Sequence, residues 1–166
     1  MDKYVFRRYS PDYPRFFRTE KARLGKVLGP SARVEHIGST AVPGLGGKGI
    51  LDVMVGVSAG KIQSSKKKLE GAGYLFRPAA GEGARLFFRR DSGKRRIHVH
   101  LMPFNCADWR EKLAFRNYLR GHPEAAAEYA KLKKAAVRKA RGNREVYLAS
   151  KERFIDRIVR KARDKT

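Results

Sequence analysis

A chain of 166 residues with 42% hydrophobic and 10% aromatic content fits one globular domain with a buried core, and excludes disorder as its general state. No apolar run reaches the ~20 residues needed to cross a bilayer, the opening MDKYVFRRYS lacks an apolar signal core, and Cys106, the only cysteine, excludes internal disulfides and cysteine-built zinc sites, so a cytoplasmic protein is expected. Lys and Arg number 39 against 16 Asp and Glu, and the resulting net charge of +23 attracts polyanions such as nucleotides and RNA, although a solvated basic surface has the same composition.

Taken in chain order, Lys3 to Tyr9 alternate weakly and suggest a short edge strand. Ser10 is placed to cap a helix with Pro11 at its first position, and Tyr13, Phe16, Phe17, Leu24, Val27 and Leu28 give it an apolar stripe. Glu20 lies on that stripe and needs a partner, and Gly29-Pro30 ends the helix. A short apolar strand from Val34 ends in Gly38-Ser39, a Gly/Pro-rich turn follows, and Ile50 to Val57 is an apolar strand with one acid, Asp52. Ser58 to Gly71 reads as a basic helix, Gly73 to Phe76 as a strand and Arg77 to Gly83 as a loop. Ala84–Arg90 and Lys94–Leu101 pair as a hairpin around Asp91-Ser92-Gly93-Lys94. Three helices close the chain: Asp108 to about Arg120, Pro123 to near Gly142, and Asn143 to Arg163. The expectation is a single domain over 1–166, with a sheet-containing core in 1–104 and C-terminal helices in 105–166.

Alternation along the strands sorts the polar residues. Val53, Val55 and Val57 share one face and Asp52 and Met54 the other; Ile97, Val99 and Leu101 oppose Arg96, His98 and His100. If the strands share a sheet, Asp52, Arg89, Arg96, His98 and His100 gather on one polar face. Gly38-Ser39, twelve intervening residues, then Asp52 matches the opening of a nucleotidyltransferase signature. The backbone after the glycine, with the Ser39 and Thr40 hydroxyls, would cradle phosphates, and a strand acid would hold a divalent metal. Lys48, Arg89 and Lys151 are the cations expected to neutralise phosphate charge, and Tyr147 a ring able to stack on a base.

Other readings of the same residues are structural. Ser39 and Thr40 could cap a short helix, Lys48 could be solvated, and Asp52 could pair with Arg89 or Lys48. His36 reads as a structural histidine. Lys151, inside the stripe Tyr147, Phe154, Ile155, Ile158 and Ala162, either snorkels outward or points into the cleft, where Glu20 could pair with it. Lys131, Lys133, Lys134, Arg138 and Lys139 read as a solvated face.

The run from Glu35 to Leu45 (EHIGSTAVPGL), with Lys48 and Asp52 after it, resembles the GrpB family. The resemblance extends to Tyr9-Ser10-Pro11, Glu20, His98-Val99-His100-Leu101, the Phe115–Arg120 segment, Tyr129, Lys131-Leu132-Lys133, Tyr147 and Lys151. It implies an α/β (α+β) fold of nucleotidyltransferase type, a mixed, mostly antiparallel sheet covered by helices; the motif spacing and strand facing add the expectation of a nucleoside triphosphate as substrate. Ser39 and Asp52 are then the expected catalytic residues, Gly38, Ser39, Thr40, Lys48, Arg89, Tyr147 and Lys151 the phosphate- or substrate-binding ones, and Asp52, His98 and His100 the ligands of a divalent metal (Mg or Mn). Met54 stands where most nucleotidyltransferases carry a second acid, which favours a transition metal over magnesium. The leading expectation is metal-assisted nucleotidyl transfer to an acceptor hydroxyl. The alternatives are a non-catalytic nucleotide- or RNA-binding module and a small-anion or metal sensor using His98 and His100.

Overall fold

Among residues 5–164, which the computed structural model describes, five strands form one mixed sheet: β1 (Arg33–Ile37), β2 (Leu51–Val57), β3 (Leu75–Phe76), β4 (Leu86–Ser92) and β5 (Arg95–Pro103). Their order across the sheet is β1-β2-β5-β4-β3. The β2–β5 pair is parallel and the β1–β2, β3–β4 and β4–β5 pairs are antiparallel, as the expected mixed, mostly antiparallel sheet requires. The helices are α1 (Tyr13–Leu28), α2 (Ile62–Gly71), α3 (Ala107–Gly121), α4 (Pro123–Ala140) and α5 (Arg144–Arg163). No helix among the described residues is long and apolar enough to cross a membrane.

Local chemistry fixes the element ends. Helix α1 begins at Tyr13 rather than at Pro11, because Ser10 first closes a turn of its own. Its Oγ accepts from the Asp12 N–H at 3.3 Å and its carbonyl from the Tyr13 N–H at 3.2 Å. Asn143 caps α5 by accepting the Val146 N–H at 3.1 Å. The β4–β5 hairpin turns at Gly93, whose φ of +58° favours a residue without Cβ. Of the expected N-terminal strand, Lys3 and Tyr4 lie outside the described residues. The rest joins no sheet edge: Arg7 makes a single antiparallel bridge to Gly47, with N···O distances of 2.6 and 3.0 Å. The stretch expected as a loop, Arg77 to Gly83, contains one 3-10 turn, Pro78–Ala80.

The period-two pattern gives the sheet two unlike faces. Val53, Val55, Phe88, Val99 and Leu101 pack against Leu24 of α1 and Leu69 of α2, all fully buried. On that side Glu20, 2% exposed, accepts the Tyr74 hydroxyl at 2.5 Å and Arg90 Nη2 at 2.6 Å. Lys151 is therefore not its partner: Glu20 faces the α1–α2 side of the sheet, and the C-terminal helices cover the other. There Ile37, Met54 and Met102 meet Trp109 of α3. Val42 and Leu45, in the turn between β1 and β2, plug into a cluster with Leu119, Tyr129, Phe154 and Ile158 of α3–α5. The turn is thereby fixed between the sheet and the C-terminal helices.

Candidate functional site

Parallel pairing of β2 with β5 sets Asp52 beside His98, with His100 two residues along the same face. Asp52 Oδ1 lies 3.2 Å from His100 Nε2 and 3.5 Å from His98 Nδ1. Phe87, cross-strand from His100, packs edge-on against both imidazoles with centroids 4.7 and 5.2 Å away. Burial alone would raise the Asp52 carboxyl; hydrogen bonds and charge from His100 and His98 outweigh it and hold the group well below the usual carboxylate range. Burial keeps His100 below the ordinary imidazole value despite the pull of Asp52. His100 is then neutral at pH 7 and donates Nε2–H to the carboxylate, which only accepts. Its Nδ1 is buried with no hydrogen-bond partner among the described residues.

The turn after β1 comes down onto this acid. Gly38 has φ +73°, and a Cβ there would stand 2.8 Å from Asp52 Oδ2, so glycine permits both the backbone conformation and the approach. Ser39–Ala41 forms a single 3-10 turn. Ser39 faces Gly47, where a Cβ would fall 2.3 Å from Ser39 Oγ and 3.0 Å from Lys133 Nζ. Thr40 points the other way and shares a 2.8 Å hydrogen bond with His36 Nε2. His36 stacks on Phe17 at 4.7 Å, and burial and the Arg120 charge lower its pKa to about 4, consistent with a structural histidine.

Three lysines converge near Asp52. Lys133 donates to the Gly46 carbonyl at 2.5 Å, while Lys48 and Lys151 place their ammonium groups 5.0 and 4.1 Å from the Tyr147 ring centroid. Burial, then the Lys151 charge, lowers Lys133 to about 7; burial, then Lys48, lowers Lys151 to about 8; Asp52 opposes both shifts. Four groups that sense one another in this way make a compact, net positive site around one carboxylate. Sequence periodicity set Lys133 on a solvated face, and the structure corrects this: Lys133 is 3% exposed, whereas Lys131, Lys134, Arg138 and Lys139 are exposed. The signal was present in the sequence, since Ala126, Tyr129, Lys133, Ala136 and Ala140 make one helical stripe.

The structure thus brings together Gly38, Ser39, Lys48, Asp52, His98, His100 and Lys151, and adds Lys133. Arg89 lies in register with His98 but is bound by Asp91 at 2.6 Å, as Arg96 is at 3.3 Å. Tyr147 is 2% exposed, so its ring is packed within the helices rather than presented to a base. For the expected Mg or Mn, the two imidazoles hydrogen-bond to the carboxylate, and among the described residues no group of three His, Cys, Asp or Glu is arranged to hold a metal ion. The donor set therefore does not fit a preformed metal centre.

The chain is 37% identical over 92% of its length to a UPF0157 protein of Pseudomonas aeruginosa, of which it spans 64%. Its fold superposes on the conserved protein GrpB from Enterococcus faecalis with a TM-score of 0.84 and 34% identity, covering 97% of this chain and 98% of that one. The RNA terminal uridylyl transferase Cid1 is more distant, with a TM-score of 0.47 and 12% identity over 72% of this chain and 42% of its own, and nothing about reaction or substrate follows from it. The sequence profile of GrpB protein matches residues 4–161, a stretch that contains the glycine–serine turn, Asp52, the His-x-His strand and all three lysines: the chain belongs to the GrpB family.

Proposed function

We propose that the protein binds a nucleoside triphosphate between the β2–β5 face and helices α4 and α5, and transfers its nucleotidyl group to an acceptor hydroxyl. The observation that carries this reading is the convergence of Lys48, Lys133 and Lys151 near Ser39 and Asp52. A half-buried excess of positive charge is stabilised by a polyphosphate, and charge-assisted bonds strengthen where water is displaced. The phosphates would lie on the three ammonium groups and the Ser39 hydroxyl.

Asp52 supports the proton transfer. Its carboxylate faces His98 Nδ1 and so favours the tautomer whose Nε2 carries the lone pair. That nitrogen accepts the proton of the acceptor hydroxyl as its oxygen attacks the α-phosphorus. The bond from the α-phosphorus to the bridging oxygen breaks, and pyrophosphate leaves against the lysines, which offset its added charge. No step is assigned to a metal.

Calorimetry with ATP, GTP, CTP and UTP, with and without Mn²⁺, tests binding; transfer of an α-phosphate label tests reaction. Lys151→Gln should weaken triphosphate binding about tenfold. His98→Gln should bind and fail to transfer. Absence of triphosphate binding by the unmodified protein in either buffer overturns the proposal. The second reading, a non-catalytic nucleotide-binding module, is favoured by Met54, fully buried where a second acid would stand. Binding without label transfer under either condition selects it.

A further inference from the structure

On the far side of the Ser39–Gly47 turn from the lysines lies a cavity of about 680 Å³ between α1, β1, α3 and α4. That size is within the range of small-molecule sites. Its lining includes the apolar Phe17, Leu119 and the α4 residues Ala126, Ala127 and Ala130, together with Arg18, Arg116 and Arg120 and a single carboxylate, Glu35. Arg116 Nη1 is held at 2.7 Å by Glu35 and at 2.9 Å by the His36 carbonyl, and Arg120 Nε donates to the Ala41 carbonyl at 2.7 Å. Both guanidinium groups are thus fixed by their neighbours, and Glu35 offsets one charge of three.

We propose that this cavity is a second ligand site, for an organic anion whose acid group lies on Arg116 and Arg120 and whose apolar body packs against Phe17, Leu119 and the α4 alanines. Preorganised guanidinium groups recognise phosphate and carboxylate through paired N–H donors, and the apolar part of the lining rewards a hydrophobic body on the same molecule. Burial and the neighbouring Arg116 charge lower the pKa of Arg120, a cost that a bound anion would relieve. Of the expected phosphate ligands, Thr40 lines this cavity, bonded to His36, and does not face the lysines. The site is separate from the lysine cluster and can be occupied independently of it.

Phenyl phosphate is the probe, titrated into the full chain by calorimetry, with benzoate and inorganic phosphate as further arms. Benzoate binding as well as phenyl phosphate identifies carboxylic acids as ligands too, whereas much weaker binding by inorganic phosphate shows that the apolar body is needed. Ala127→Trp fills the cavity from an exposed position and should weaken phenyl phosphate at least about tenfold with an unchanged melting temperature; Arg120→Gln removes a charge and should weaken it as much, with a modest loss of melting temperature from its lost bond to the Ala41 carbonyl. Lys151→Gln should leave that affinity within about twofold, since it lies in the other site. The proposal falls if phenyl phosphate fails to bind at ~10 mM, if Ala127→Trp has no effect, if inorganic phosphate binds equally well, or if Lys151→Gln alone abolishes binding. Phenyl phosphate binding without triphosphate binding keeps this cavity and removes the transferase reading; the reverse does the opposite.

Discussion

Lys133 carries an ammonium group in a place where the charged form is penalised by burial and by Lys151, and that makes it sensitive to pH and to ligand. Its folded pKa of about 7 lies below the ordinary lysine value of 10.5, so between those values the unfolded chain holds more protons and stability rises with pH. Below about 7 both states are protonated and the penalty is fully present. Lys151 behaves alike over a narrower window that opens near 8. Lys133→Met should therefore flatten the rise of melting temperature between pH 7 and 10 relative to the unmodified protein; parallel profiles would show that burial does not shift this lysine. A bound polyphosphate reverses the shift by restoring charge to both lysines. At pH 8 triphosphate binding should take up about one proton or more per ligand, read from the dependence of calorimetric enthalpy on buffer ionisation heat. Affinity should fall as pH rises above that point, and no uptake would mean that the phosphates do not rest on these lysines.

At the scale of elements, the β1–β2 turn holds the site together, clamped by the Arg120 bond to the Ala41 carbonyl and the Lys133 bond to the Gly46 carbonyl. Gly47→Ala would drive a methyl into Ser39 Oγ and toward Lys133 Nζ. It should abolish triphosphate binding with a modest loss of melting temperature; unchanged affinity would show that Ser39 and Lys133 are not needed together. On the opposite face, Glu20→Ala strips Arg90 and Tyr74 of their buried acceptor and should cost about 3–5 kcal/mol in chemical denaturation, as for other broken buried pairs. A loss below about 1 kcal/mol would mark that network as neutral. The convergence of Asp52, His98 and His100 was legible in the sequence because strand alternation has a period of two and leaves no choice of face. Ser39 and Thr40 were not separable by pattern, since a 3-10 turn rotates successive residues by about a third of a circle and sends the hydroxyls apart. Arg89 stays in register with His98 but is engaged locally: Asp91, two residues on, shares its face of β4 and binds its guanidinium. Lys133 was hidden by its composition, because a lysine at a core position of α4 looks like its exposed neighbours until the stripe is traced through the alanines.

For the molecule as a whole, the net charge of +23 and the lysine site would make separable contributions to the binding of an anion. Lys131, Lys134, Arg138 and Lys139 on α4 and Arg160 and Lys161 on α5 are exposed, and some neighbouring cations are already paired, as Arg157 is with Glu128 and Arg163 with Glu111. Exposed charges act on a polyanion through counterion release, so their contribution fades as salt rises. A ligand on the partly buried lysines would be met at short range, where charges are screened less. Two salt profiles should follow. A labelled single-stranded RNA of about 20 nucleotides should bind with a log affinity that drops steeply with log salt, about −0.7 per phosphate contacted, and should keep its affinity in Asp52→Asn and Lys151→Gln. ATP should show the shallower profile and lose affinity in Lys151→Gln. RNA binding that vanishes with Lys151→Gln would place the polyanion in the lysine site rather than on the helices. No RNA binding even at about 50 mM salt would reduce the basic surface to a solvated one, leaving the enclosed lysines as the part of the charge that recognises a ligand.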